Sequence, residues 1–592
     1  SGNQSSGTTE KSMDSKSGRS VLDILKRAQL TEYAASAEKS GVTLEELLQA
    51  EGKVLNVVAE KMGITKPGHR MRLKKYVQDC KGWLDEITKP TTNPSEPRVP
   101  KAPGQSEEQN KEDDKIKAVL EDLPSYVKAI KNTADKEAQI NAVVAVRKLV
   151  SIERNPPIQE IIDAGLVPLL VEFLKDDDRP KLQFEAAWAL TNVASGTSKQ
   201  TYTVIKSGAV PQFVRLLGSK VSNVQDQCVW ALGNIAGESC QCRDLILSLN
   251  TVPALLKLMN NATGSQEAGV ESSLKNVSTL RNVTWTISNL CRGKPAPPFS
   301  QVAPTIPLLA NLLSHSDKEI VTDACWALSY LSDGSNSQIQ AVLNAGVSQQ
   351  LIKLLEDRAI EVKQPALRIV GNICTGEDSQ TQFMINSGAL HCLGKLMLSE
   401  KASIRKEACW TISNITAGTK LQIQNVIEEG LVGPLVHILG NDQFDIKREA
   451  AWAVSNFVSG GTNNQIRFLV MQNVIGPLCG LLDSTDERSI QVALEGLEQI
   501  LRTGRMMNEL SGYRDIVENT GGLAMIENLQ SHASEQIYSK CVNILSTYWE
   551  AEEQQEDFAG PPNDGRRQCF CVFQTSPQRA KTIHSRTIST WT

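Results

Sequence analysis

The chain of 592 residues is poor in aromatic side chains, at 5%, and holds only six histidines. No stretch of about 18 consecutive apolar residues occurs, so no segment is long and apolar enough to cross a membrane as a helix. Neither sign of charge dominates, with 62 Lys and Arg against 67 Asp and Glu. That balance, with 40% apolar residues, excludes a histone-like basic binder and a wholly disordered chain. The Ser/Gly/Lys-rich first twenty residues lack the apolar core of a secretory signal. A phosphate-binding Gly-rich loop, a nucleophile elbow, a His-Glu-x-x-His helix and a kinase signature are all missing, so neither an enzyme nor a cofactor is expected. The 13 cysteines form no disulfide framework, and the pairs Cys240/Cys242 and Cys569/Cys571 lack further ligands at zinc spacing. Cys228, Cys325, Cys409 and Cys541 sit in apolar helical pattern and read as small hydrophobes of a reducing compartment.

Against this scarcity one surplus stands out: nine Trp outnumber eight Tyr. Six of these tryptophans recur in one sequence context. The segments FEAAWALTNVASG (184–196), DQCVWALGNIAGE (226–238), LRNVTWTISNLCRG (280–293), TDACWALSYLSDG (322–334), QPALRIVGNICTG (364–376), KEACWTISNITAG (406–418) and REAAWAVSNFVSG (448–460) align on Trp188, Trp230, Trp285, Trp326, Arg368, Trp410 and Trp452. The steps are 42, 55, 41, 42, 42 and 42 residues. A second ladder of apolar helices, each opened by glycine, runs through 165–174, 208–217, 346–355, 388–397 and 430–439. A period of about 42 residues with a short helix, a Gly-started helix and a longer Trp-bearing helix predicts an all-α, right-handed armadillo-repeat superhelix of about ten units with one extended concave face. The long step is expected to be a loop insertion around residues 260–276. The expected organisation is a disordered segment 1–19, a small helical domain 20–87, a flexible Pro/Ser/charge-rich linker 88–117, the array 118–560 and a disordered basic tail 561–592. The array carries 37 basic and 48 acidic groups, a net −11 hidden inside the chain's overall −5.

Asparagine follows tryptophan by four residues at Trp188/Asn192, Trp230/Asn234, Trp285/Asn289, Trp410/Asn414 and Trp452/Asn456. An i,i+4 pair shares one helix face, so stacking turns the pairs into parallel rows of indoles and carboxamides. A carboxamide both donates and accepts, which suits the backbone of an extended peptide whatever its side chains. Slots between indoles take the aliphatic stems of Lys and Arg, and rim acids pair with their charged heads. A core role would accept Leu or Phe in place of Trp and has no use for Asn at a fixed offset. The chemistry therefore selects a Lys/Arg-rich extended segment.

The array closely resembles the importin-α family in QFEAAWALTNVASGTSKQT (183–201), VWALGNIAGE (229–238), LCRGKPAPP (290–298), ACWALSYLSDG (324–334), NICTGEDSQTQ (372–382) and GGLAMIENLQSHASEQIY (521–538). The resemblance implies a nuclear import adaptor that shuttles between cytoplasm and nucleus and binds nuclear localisation signals at two sites. It implies a major site at Trp188, Asn192, Trp230, Asn234, Trp285 and Asn289, with a lysine pocket at Gly196, Thr201 and Glu238, where the family more often has Asp. The implied minor site falls on Trp410, Asn414, Trp452 and Asn456, with Thr381, Glu407, Ser413 and Glu449 nearby. Tyr330 and Arg368 interrupt the ladder between the two, and Glu319 and Asp323 are rim acids for the linker of a two-cluster signal. The stretch 550–558 (EAEEQQEDF) lies where the family meets its export receptor.

Family members carry a dense basic segment that recruits importin-β and folds back on the groove, and residues 1–117 contain no comparable run. Residues 20–87 instead resemble a five-helix sterile alpha motif (SAM) domain, with Gly63-x-x-x-Pro67-Gly68-His69-Arg70 as the turn into its last helix. The run His69–Lys75 reads as that helix's solvated face. The expectation is a groove without built-in inhibition, importin-β as a carrier whose docking segment is unassigned, and a SAM-mediated partner or self-association. The competing expectation is an armadillo/SAM scaffold for signalling or cytoskeletal assembly with no carrier role.

Overall fold

A computed structural model of the chain describes residues 121–264, 270–357 and 359–550, together with Lys61. The expected SAM helices, linker and basic tail lie outside the described residues, as do Cys569 and Cys571. Every regular element described is helical, and none is long and apolar enough to cross a membrane. Ten repeat-closing helices carry the architecture: α1 (Lys136–Val150), α2 (Pro180–Ala194), α3 (Ser222–Glu238), α4 (Val270–Cys291), α5 (Lys318–Ser332), α6 (Ile360–Cys374), α7 (Ala402–Thr416), α8 (Phe444–Gly460), α9 (Glu487–Met506) and α10 (Glu535–Leu545). Each packs on the next in order, and two shorter helices precede each of α2 to α10, with a further 3-10 turn (Ala303–Thr305) between the two before α5.

Local sequence explains both junctions within a repeat. The second helix is entered through a left-handed residue, which is Gly165, Gly208, Gly346, Gly388 and Gly430 in five repeats (φ +70°, +83°, +76°, +98° and +75°). The first helix starts with a capping box in five repeats, at Thr197/Gln200, Ser335/Gln338, Glu377/Gln380, Thr419/Gln422 and Thr462/Gln465. These glutamines also reach backwards. Nε2 of Gln380, Gln422 and Gln465 donates to the carbonyls of Asn336, Asp378 and Lys420 in the preceding repeats at 3.0, 2.8 and 2.9 Å.

The long helices approach closely because small residues flank each Trp. Ala187, Ala189, Ala231, Cys325, Ala327, Cys409, Ala451 and Ala453 are fully or almost fully buried. Cys228, Cys325 and Cys409 are free thiols whose pKa is pushed up by burial, as small hydrophobes require. Among the described residues no group of three His, Cys, Asp or Glu converges on a metal position, and Cys240 donates to the Lys294 carbonyl at 3.2 Å.

The inserted segment corrects one expectation. Residues 260–276 are not simply a loop: a helix runs to Gly264 and α4 begins at Val270, giving α4 22 residues where its neighbour α5 has 15. The added residues extend a helix backwards because propagation adds a hydrogen bond per residue at no new nucleation cost.

Replacing Gln422 by Ala removes the cap bond and the bond to Asp378 together. It should lower the local opening free energy by about 1–3 kcal/mol, read by hydrogen exchange of the flanking helices. Gln159→Ala, which loses one exposed bond to Asp163, should change it by less than about 0.5 kcal/mol.

Candidate peptide-binding groove

The tryptophans of the ladder are not core. Trp230 is 42% exposed, and Trp188, Trp285, Trp326, Trp410 and Trp452 are half-buried. Each thus presents an edge or face while its other side is held. Trp285 and Trp410 lie directly on the backbone of the preceding long helix, where a Cβ on Gly233 or Gly371 would fall 2.2 Å from the indole Cζ3. Those two glycines, unremarked in the sequence, give the indoles their seats.

The asparagines form a regular series. Nδ2 of Asn234, Asn289, Asn414 and Asn456 donates to the carbonyls of Thr191, Gly233, Gly371 and Ser413 at 3.4, 3.1, 3.3 and 2.9 Å. Asn192 donates instead to the Ser151 hydroxyl at 2.8 Å. Asparagine therefore does have a packing use: it stitches each long helix to the one before it. The stitch fixes the amide's orientation and uses one of its two N–H groups. Asn372, four residues after Arg368, belongs to the same series and donates to the Ser329 carbonyl at 2.8 Å. The broken Trp position concealed it.

Three arginines lie against ladder indoles. The Arg147 guanidinium carbon is 4.2 Å from the Trp188 ring centre, and its Nε donates to Glu185 at 2.9 Å. Arg368 lies 5.5 Å from the Trp410 centre and grips Glu407 with two nitrogens, Nη2 at 2.8 Å and Nε. In both cases an arginine of one long helix covers the indole of the next and pairs with the carboxylate three residues before that indole; Arg368 stands at a ladder position and Arg147 does not. Arg488 stacks on Trp452 at 5.1 Å. Arg147 was missed because the first repeat has neither Trp nor Asn at its ladder positions.

The rim acids differ from one another. Glu407 is not a waiting acid, being 8% exposed and committed to Arg368. Glu319 already pairs with Arg281 at 3.1 Å. Asp323, half-buried beside Glu319, has its carboxyl pKa pushed up to about 7 by burial and then by the Glu319 charge. Tyr330 stacks on Trp326 with ring centres 6.1 Å apart and fills the place of an amide. Glu449 lies on α8 three residues before Trp452, and Glu238 ends α3 half-buried.

The region of the expected lysine pocket and its counterpart in the second run are built alike. Thr201 and Thr381 are buried, and their hydroxyls donate to the carbonyls of Ala194 and Cys374 at 2.8 and 3.2 Å. Gly196 and Gly376 stand where a Cβ would strike the capping glutamine, each 2.1 Å from an Oε1. Around the second pocket the structure joins Thr381, Asn414, Trp452 and Asn456 in one cavity of about 480 Å³, with Cys374 and Asp378 as lining the sequence did not single out. The Ser413 hydroxyl is turned back to the Trp410 carbonyl at 2.7 Å.

Such a solenoid, with indoles and amides recurring once per repeat along its long helices, defines an armadillo-repeat protein. The Armadillo/beta-catenin-like repeat family matches residues 154–195, 197–237, 301–333, 335–375, 377–417 and 419–459, an atypical Arm repeat matches 512–563, and a SAM domain matches 14–81. Importin subunit alpha-4 of Arabidopsis thaliana is 53% identical over 458 residues, covering 76% of this chain and 83% of its own. Importin subunit alpha-B of Dictyostelium discoideum is 59% identical over 449 residues, covering 75% and 85%. A solved engineered protein shares the fold at a TM-score of 0.63 and 27% identity, covering 72% of this chain and 98% of its own. The chain belongs to the importin-α family, with a SAM domain in its N-terminal part. Proteins of this family are transport adaptors rather than enzymes.

Gly371→Ala should unseat Trp410 without harming α6, since Ala is the better helix former. Affinity of a basic peptide for the Trp410/Trp452 region should fall about tenfold, with far-UV circular dichroism unchanged. Fluorescence anisotropy in a chain whose Trp230 is replaced by Ala isolates that region.

Proposed function

We propose that the chain is a nuclear import adaptor whose groove binds Lys/Arg-rich nuclear localisation signals as extended peptides. The observation that carries this reading is the pair of internal arginines: the array stacks its own guanidinium groups on Trp188 and Trp410 and closes them with carboxylates. The same pairing of an indole with a carboxylate three residues before it recurs at Trp326 with Asp323 and at Trp452 with Glu449, the latter indole carrying Arg488. At Trp230 the corresponding residue is Gln227, and at Trp285 it is Asn282, so there the stem is gripped by indoles and amides. The first run is Trp188, Asn192, Trp230, Asn234, Trp285 and Asn289, with Gly196, Thr201 and Glu238 as its lysine pocket. The second run is Trp410, Asn414, Trp452 and Asn456, with Thr381, Ser413 and Glu449. Arg147 and Arg368 cover the leading indole of each run and so set where a peptide's register begins.

The −11 charge of the array raises the local concentration of basic peptide and speeds encounter, an effect that salt screens. With this reading go importin-β as carrier, an export receptor at the C-terminal repeats, shuttling between cytoplasm and nucleus, and a partner or second copy for the SAM domain.

Binding of a labelled basic signal peptide by the full chain tests the reading. Trp230→Ala and Asn234→Ala should each weaken it about tenfold or more, and a peptide with Lys replaced by Ala should not compete. Equal binding of the basic and Ala-substituted peptides would sink the adaptor reading.

A pH dependence follows from Asp323. A cation placed against it requires the ionised carboxylate, so binding there releases a proton below about pH 7 and none well above it. A peptide whose linker carries a Lys opposite Asp323 should therefore bind up to about tenfold more tightly at pH 8 than at pH 6. Asp323→Asn should flatten that profile. The same raised pKa favours the neutral folded form, so this group's contribution to stability is fully present below the ordinary Asp pKa of 3.8, is lost progressively as pH rises to about 7, and does not change above that.

A further inference from the structure

The second helices of the repeats, which precede the Trp-bearing ones, form a layer of their own in which Ser348–Leu355, Ala389–Met397 and Val432–Asn441 pack side by side. Six consecutive members of this layer are these three together with Ala209–Leu216, Val252–Gly264 and Ile306–Leu312, and none of the six contains Asp or Glu. The array around them is acidic, at −11. Aligned on the residue that opens each helix, they place Arg215, Lys257, Asn311, Lys353, Lys395 and His437 at one position, and all six side chains are exposed. The preceding member of the series has Glu172 there and the following one Gly480, which bounds the stripe at both ends. Lys257 and Lys353 form no ion pair among the described residues. Arg215 and Lys395 meet Asp177 and Glu356 at 2.9 and 2.7 Å, and His391, one turn before Lys395, lies 3.0 Å from Glu429. Those contacts are solvent-exposed, so they are worth little and yield readily to a ligand carboxylate.

We infer that this stripe is a docking surface for an extended acidic segment of a partner protein, carried on different helices from the groove. Packed helices lie about 8–10 Å apart and an extended chain advances about 3.3 Å per residue, so a carboxylate at every third residue meets one cation per repeat. Nucleic acid is a poorer match: a duplex carries one charge per about 1.7 Å, whereas the stripe offers a single cation per repeat and skips Asn311. The molecule thus separates its two partners by sign, with basic peptide on the long helices and acidic peptide on the second helices.

The test uses the full chain and a labelled peptide of about 18 residues with Glu at every third position and Ser and Gly between. At low salt this peptide should bind and its Gln counterpart should not, and the same Glu residues gathered in one block should bind at least about threefold more weakly. Lys257→Gln combined with Lys353→Gln should cost about three- to tenfold. Lys206→Gln, an exposed cation on a first helix, and Trp230→Ala in the groove should each stay within about twofold. No binding of the spaced peptide, equal binding of the block, no loss in the double variant or an equal loss in Lys206→Gln overturns the stripe. Loss on Trp230→Ala overturns it by placing the acidic peptide in the groove. A single-stranded oligonucleotide that binds more tightly than the peptide, and loses as much in the double variant, overturns the choice of partner. The groove reading stands or falls separately, on the basic peptide.

Discussion

One hydrogen bond, repeated, underlies the geometry of this molecule: the asparagine amide of a long helix donating to a carbonyl of the long helix before it. In a solenoid each repeat touches only its neighbours, so any regular surface must be set by what passes between adjacent repeats. Asn234, Asn289, Asn372, Asn414 and Asn456 make this bond across both runs of the ladder, the inserted segment included. The same bond fixes the plane of each amide, so the regularity of the amide row is set by helix stacking. Where Tyr330 replaces asparagine, an aromatic stack on Trp326 takes over the packing and the polar row is interrupted.

The indoles depend on that spacing in turn. Because the helices are held close, Trp285 and Trp410 can rest on the bare backbone of Gly233 and Gly371, and half of each ring stays in contact with protein while the rest faces outward. A cation meeting such a ring loses little freedom in its stem and keeps its head hydrated or paired. The arginines at 147, 368 and 488 display that contact within the chain itself. They also divide a continuous groove into segments, which a row of tryptophans alone would not do.

Much of this was legible because repetition converts sequence distance into spatial order. The period placed Trp188 through Trp452 on one face, and the four-residue offset placed the amides beside them. What escaped was whatever the period disguised. Asn372 was hidden by Arg368, although the offset rule held. Gly233 and Gly371 look like ordinary helix-interior glycines until the ring 39 or 52 residues later is known to lie on them. Gln380, Gln422 and Gln465 carry a second inter-repeat stitch invisible from a single repeat. The pairings of Arg147 with Glu185 and Arg368 with Glu407 required knowing that an arginine of one long helix leans toward the next repeat, and that Glu407 was therefore already engaged. The extra residues of the long step were read as loop because composition there is mixed, yet they prolong α4.

The central claim is that the asparagine row reads peptide backbone while the indoles and acids read charge. Its most direct test is a scan in which single backbone amides of a bound Lys/Arg-rich peptide are replaced by esters, leaving every side chain intact. The account predicts that alternate positions opposite the asparagines lose about five- to tenfold in affinity, the worth of one hydrogen bond, and that Asn234→Ala silences the nearest sensitive position. Uniform tolerance of esters along the whole peptide would contradict it.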